Sequence, residues 1–142
     1  AQDECFFAEK GQGSWMNETR LRVSGRRLLS ECVFATGLPS SGKANLPKTL
    51  TELANLLPMT AGIRAFGASA LNLAYVAAGR VDGFWERGLE VSEIAAGTII
   101  LKEAGGFMES IDSKGHPLKD GTAICSNDQI FSQFSKILRK SN

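Results

Sequence analysis

Two carboxylates and two small residues mark the chemistry this sequence could carry. Glu86 follows the aromatic pair Phe84-Trp85, Glu93 stands seven residues later, and Gly67 and Ser69 lie upstream. Their types and spacing leave ordinary roles open. Glu86 could pair with the neighbouring Arg87 or with Arg64. Glu93 could do no more than favour a helix start, where free amides and the dipole attract an anion for roughly 0.3–1 kcal/mol. Two carboxylates at this spacing are a weak signal until the elements that position them are considered.

Those elements read as strand, helix, strand, helix. Ile63–Phe66 is a short apolar run ended by Gly67. Ser69–Ala78 has helical character and stops at Gly79. Val81–Trp85 is a second strand, with Glu86 at its carboxyl end, and Ser92 opens another helix with Glu93 in its first turn. Open α/β sheets bind ligands outside the carboxyl ends of their strands. Gly67, Ser69, Glu86 and Glu93 would therefore share one rim.

Upstream, Glu4–Glu9 is strand-like, Trp15–Glu18 reads as a turn, and Arg20–Ser24 alternates polar and apolar residues as a half-exposed strand does. Arg20, Arg22, Arg26 and Arg27 are expected on its wet face. Leu28–Ala35 reads as a buried strand or a short helix, and Ser40–Leu46 as a flexible linker. Pro47 suits the first position of a helix whose stripe is Leu50, Leu53, Ala54 and Leu57. Downstream, Phe107–Ile111 and Thr122–Ser126 are strands, with a turn at 112–115 between them. Asn127 or Asp128 caps a last helix whose apolar residues are Ile130, Phe131, Phe134, Ile137 and Leu138. His116, the sole histidine, is expected in an exposed loop. This alternation predicts an α/β fold: a mostly parallel five-stranded sheet with helices on both faces, preceded by a two-stranded antiparallel hairpin. Residues 1–27 would form the hairpin and 28–142 the α/β domain.

At 142 residues the length suits one domain, large enough to bury a core. A net charge of +1 favours neither nucleic acid nor membrane as a partner, and no apolar run is long enough to span a bilayer. Cys5, Cys32 and Cys125 are scattered without metal-ligand spacing, which suits buried small hydrophobes in a reducing, cytoplasmic setting. The chain opens without an initiator Met into the strand-like ECFFAEKG, which reads as a piece of something larger.

The segment GASALNLAYVAAGRVDGFWERGLEVSEIAAGTIILKEAGG resembles the carboxyl-terminal half of the inositol monophosphatase family, bacterial members above all. AEKGQGSWMNETRLRVS is similar to that family's AxKGxGAxxNGxxIxVS hairpin, and TAICSNDQIFSQF to its final strand and helix. The resemblance implies layers of helix and sheet and Mg²⁺-dependent hydrolysis of phosphate monoesters of inositol and related polyols. It implies that Glu86 binds a substrate hydroxyl and that the backbone at Gly67 and Ser69 meets the ring. Glu93 falls where the family has an Asp that holds one Mg²⁺.

Two departures shape the expectation. The family's Glu-Glu and DPxDGT motifs, which carry its other metal ligands, do not occur in these 142 residues. Its Trp-Asp is Ser92-Glu93 here, so the wall is lost and the carboxylate gains a methylene. Mg²⁺ demands near-ideal octahedral geometry, so Glu93 is an altered ligand and this chain alone is not expected to hold the ion well. The chain is thus expected to be the substrate-side half of a phosphatase, inactive in isolation. The alternatives are a non-catalytic binding or assembly module and a degenerate fragment of that family. An apolar edge at Phe6, Phe7 and Trp15 predicts a homodimer or larger oligomer.

Overall fold

The alternating segments build two sheets with helices between and outside them. The structure, a computed structural model, describes residues 3–37, 45–112 and 116–140, apart from the side chains of Glu93 and Leu118. Most of the turn expected at 112–115 and most of the linker expected at 40–46 lie outside the described residues.

The first sheet is antiparallel, in the order β1 (Phe6–Glu9), β2 (Gly13–Met16), β3 (Thr19–Arg20). It has three strands where the sequence predicts two. Trp15 and Met16, read as a turn, pair with Arg20 and Thr19. The reversal falls instead at Asn17, whose φ of 53° is a left-handed conformation that Asn tolerates. Beyond Arg20 the chain leaves the sheet, so Arg22, Arg26 and Arg27 are exposed without lying on a strand. Phe6 turns inward against Tyr75, at 6.5 Å between ring centroids, while Phe7 is exposed.

The second sheet has the order β5 (Gly62–Arg64), β4 (Val33–Thr36), β6 (Gly83–Arg87), β8 (Thr122–Ser126), β7 (Phe107–Glu109). Strand β4 is parallel to both β5 and β6, and β8 is antiparallel to both β6 and β7. Four strands thus run one way and β8 runs against them, a mostly parallel sheet as expected. Leu28–Ala35 divides: Leu29–Glu31 is a short 3₁₀ turn, and only its end joins β4.

Four longer helices cover this sheet: α1 (Leu46–Leu56), α2 (Ser69–Ala77), α3 (Val91–Glu103) and, after the single turn α4 (Pro117–Asp120), α5 (Phe131–Lys140). Successive strand residues face opposite sides, and the core divides accordingly. Phe34, Trp85 and Ile124 pack with Leu56 of α1 and Phe134 and Leu138 of α5. Ala35, Phe84, Ala123 and Cys125 pack with Leu73 and Val76 of α2 and Ile94 and Leu101 of α3. A third cluster, Ala77, Ile100 and Ala104 with Leu21, Phe6 and Met16, joins α2 and α3 to the first sheet. The layers are therefore helix, sheet, helix, sheet. Gly97 of α3 sits where a Cβ would collide with Leu73, which is how α2 and α3 approach so closely.

The final helix follows its sequence pattern, with Ile130, Phe131, Phe134 and Leu138 buried. Asn127 caps its approach, its Oδ1 accepting from the amides of Gln129 at 2.9 Å and Ile130 at 3.1 Å. The stripe of α1 differs from expectation. Leu50 and Leu57 are exposed and Ala54 faces solvent, whereas Thr49, Glu52 and Leu56 are buried. The buried carboxylate Glu52 rotates the helix because a buried arginine, Arg87, awaits it.

Two polar devices fix the layers. Asp82, just before β6, is buried and accepts from Ser24 Oγ, from Arg26 Nη1 at 3.1 Å and from the Val33 amide at 2.8 Å. Asn127 Nδ2 completes this knot by donating to Ser24 Oγ at 2.9 Å and the Arg26 carbonyl at 3.1 Å. The second device is a latch. Glu103, the last residue of α3, accepts from the amides of Gly11 at 3.1 Å and Gly13 at 2.9 Å in the β1–β2 turn. Those two amides hold its carboxyl below the usual range.

Candidate functional site

Strand β6 runs two residues beyond the expected end, to Arg87, so Glu86 is a strand residue and not the residue past one. The consequence is decisive for direction. Glu86 shares the face of Phe84, toward α2, and Arg87 shares the face of Trp85, toward α1. The two neighbours are thereby separated, and the ion pair between Glu86 and Arg87 does not form.

Arg87 is buried and grips two carboxylates. It donates to Glu52 at 3.0 and 3.4 Å and to Asp112 at 3.1 and 3.2 Å. Burial alone would lower its pKa, but the two carboxylates more than offset that and raise it. In return the guanidinium holds the Asp112 carboxyl below its usual range. Arg64, the other expected partner of Glu86, donates to the Ile63 carbonyl at 3.2 Å.

Glu86 is half-buried, and its Oε1 accepts from Ser69 Oγ at 2.8 Å. Ser69 is the first residue of α2, so this bond ties the helix start to the strand end. Ala68 at the helix N-cap provides no side-chain cap, which leaves first-turn amides facing the same rim. Gly67 adopts φ +84°, and a Cβ there would meet nothing within 4 Å, so glycine serves backbone conformation and leaves open space. On the far side of Glu86, β4 ends at Thr36, whose Oγ1 donates to the Trp85 carbonyl at 2.8 Å. Gly37 follows, directly under the carboxylate.

The structure thus brings Glu86, Ser69 and the Gly67 loop together. Glu93 is the third residue of α3, and α3 begins at Val91, one residue earlier than the expected Ser92. Its N-cap, Glu90, makes no side-chain cap bond either. The arrangement offers a carboxylate acceptor and helix-start amide donors, a donor and acceptor pairing suited to a ligand hydroxyl beside an oxygen-rich group. Among the described residues no three His, Cys, Asp or Glu side chains gather into a group that could hold a metal ion. The donor set of the described residues does not by itself make up the multi-metal clamp that stabilises both oxygens of a phosphoryl transfer.

Sequence reasoning missed Gly37, Glu52, Asp82 and Asp112. A carboxylate within a leucine-rich helix was a usable signal for Glu52. His116 is exposed, as expected for a loop residue, and Cys5 is exposed where a buried cysteine was expected. Cys32 and Cys125 are buried, and burial pushes the Cys32 thiol up to about 11. No helix among the described residues is long and apolar enough to cross a membrane.

A sequence profile of the inositol monophosphatase family matches residues 1–141. The chain is 43% identical over 140 residues to an inositol-1-monophosphatase of Rhizobium meliloti, covering 99% of this chain and 53% of that protein. It is 41% identical over 132 residues to a protein named Nus factor SuhB of Pseudomonas aeruginosa, covering 92% of this chain and 49% of that one. Among solved structures, the extragenic suppressor protein suhB of Bartonella henselae superposes with a TM-score of 0.92 at 43% identity, covering 97% of this chain and 54% of that one. The chain spans about half the length of the curated relatives it matches.

Proposed function

We propose, of a chain that belongs to the inositol monophosphatase family, that it supplies the polyol-binding half of a Mg²⁺-dependent phosphomonoesterase site. The observation that carries this reading is the bond from Ser69 Oγ to Glu86 Oε1 at the uncapped start of α2. In the proposal Glu86 accepts a hydroxyl of a small polyol phosphate such as inositol monophosphate, and the backbone at Gly67 and Ser69 lies against the ring. Residues 1–27 belong to a larger first sheet and 28–142 to the α/β domain, and the chain works as a homodimer or larger oligomer.

Mg²⁺ would act as the Lewis acid of such a site. The ligands that hold it lie mainly outside these residues, with Glu93 as a weakened contributor one methylene longer than the family's Asp. No step through the metal follows from this chain's own groups. Its part is to bind and orient the alcohol side of the ester, which is a positioning contribution.

A second reading, a non-catalytic binding or assembly module, is favoured by relatives that bear the name Nus factor SuhB at comparable identity. Calorimetric titration with inositol 1-phosphate, with and without Mg²⁺, and a phosphate-release assay separate the two. The expected result is binding without turnover by the chain alone, and turnover once the other half of a relative is added. Phosphate release by the chain alone would overturn the half-site, and absence of binding would remove the rim. Metal-independent binding with no gain on complementation would favour the second reading.

A further inference from the structure

We infer that Gly37 is a positioning residue for Glu86: its missing side chain is the seat on which the carboxylate stands. The inference rests on the reading of Glu86 as the acceptor of a ligand hydroxyl. Gly37 is not among the glycines with positive φ, so an L-side chain meets no conformational objection there. Its reason for being glycine is therefore space. A Cβ built at Gly37 would fall inside the Glu86 carboxyl group, and even Oε2, the more distant oxygen, would be 2.6 Å away.

Gly37 and Ser69 hold Glu86 from two sides. Ser69 Oγ draws Oε1 toward α2, and the bare backbone beyond β4 lets the carboxyl settle over the adjacent strand end. The register adds precision, since Thr36 is paired with Trp85 and bonded to its carbonyl. Gly37 is therefore carried next to Glu86 by the ladder itself. The contrast with Gly67 separates two uses of glycine at one rim: Gly67 answers a backbone need, and Gly37 answers a side-chain need.

The atom in the way is the end of a flexible side chain, so Gly37→Ala is accommodated by swinging Glu86 aside and leaves the fold intact. The test is a double-mutant cycle of Gly37→Ala and Glu86→Ala, read by titration of inositol 1-phosphate. Gly37→Ala is expected to weaken binding about tenfold, the scale of one hydrogen bond to a charged group, with its melting temperature near that of the parent. In the Glu86→Ala background it is expected to have no further effect. Unchanged binding in Gly37→Ala, or an equal loss in both backgrounds, would overturn the inference. If the parent does not bind the probe, or Glu86→Ala binds as the parent does, the reading of Glu86 falls. Gly37 is then judged by the ¹³C resonance of the Glu86 carboxyl in selectively labelled protein. A displaced resonance in Gly37→Ala sustains the seat, and an unmoved one overturns it.

Discussion

The two ends of β6 are held in opposite ways. At its start, Asp82 is buried and bound by Ser24, Arg26 and the Val33 amide, with Asn127 closing the knot. Near its far end, Glu86 is half-buried, takes a hydroxyl bond from Ser69, and rests over a glycine. One carboxylate immediately precedes the strand and the other lies within it, yet the first is spent on joining layers and the second is presented at a surface. A buried acceptor must have all its partners inside the protein. On the proposed reading, Glu86 instead meets a ligand hydroxyl from outside the protein.

Two substitutions and an acid titration probe these polar devices. Asp82→Ala should have the largest effect, removing about 3 kcal/mol of stability by orphaning the Val33 amide and the Ser24–Asn127 pair. Urea unfolding reads the loss, and the affinity of the folded protein for inositol 1-phosphate should stay as it was. A fall in affinity would show that the knot and the rim are not independent. Ser69→Ala is the converse and should be smaller: under about 1 kcal/mol in urea, with a severalfold weaker titration of the same probe. Equal losses of stability from the two variants would erase the distinction.

Acid should have the smallest effect. Glu103 and Asp112 both have carboxyl pKa values below the usual range in the folded protein. A depressed folded pKa contributes stability that is present above the unfolded value and lost as pH falls through the folded one. Melting temperature should therefore decline modestly below about pH 4. Glu103→Gln should flatten that decline, and an unchanged profile would remove the latch from the account.

Local pattern made much of this legible. A short strand-like run after a turn marked β8 at its observed bounds, and the spacing of Ile130, Phe131, Phe134 and Leu138 marked the buried face of the last helix. The rule that ligands gather at strand ends already puts Glu86 beside Ser69. What escaped was long-range and polar. Ser24 and Asn127 meet across 103 positions, and no short window encodes that pairing. Glu52 was hidden by its neighbours, because Leu50, Leu53 and Leu57 made a better apolar stripe than the one actually buried. Gly37 resembled a strand terminator, and only the register of β4 on β6 reveals what lies above it.

The latch at Glu103 also imposes a timetable. Its two bonds to the β1–β2 turn span 90 and 92 positions, so the hairpin is synthesised long before its anchor exists. At ribosomal speeds of about 5–20 residues per second, the wait is about 5–20 s. Throughout it, Phe6, Ala8 and Met16 have neither α3 nor Ala104 to cover them. These strands are thus made well before their anchor and secured late, and their company in the interval falls to whatever else binds an apolar hairpin.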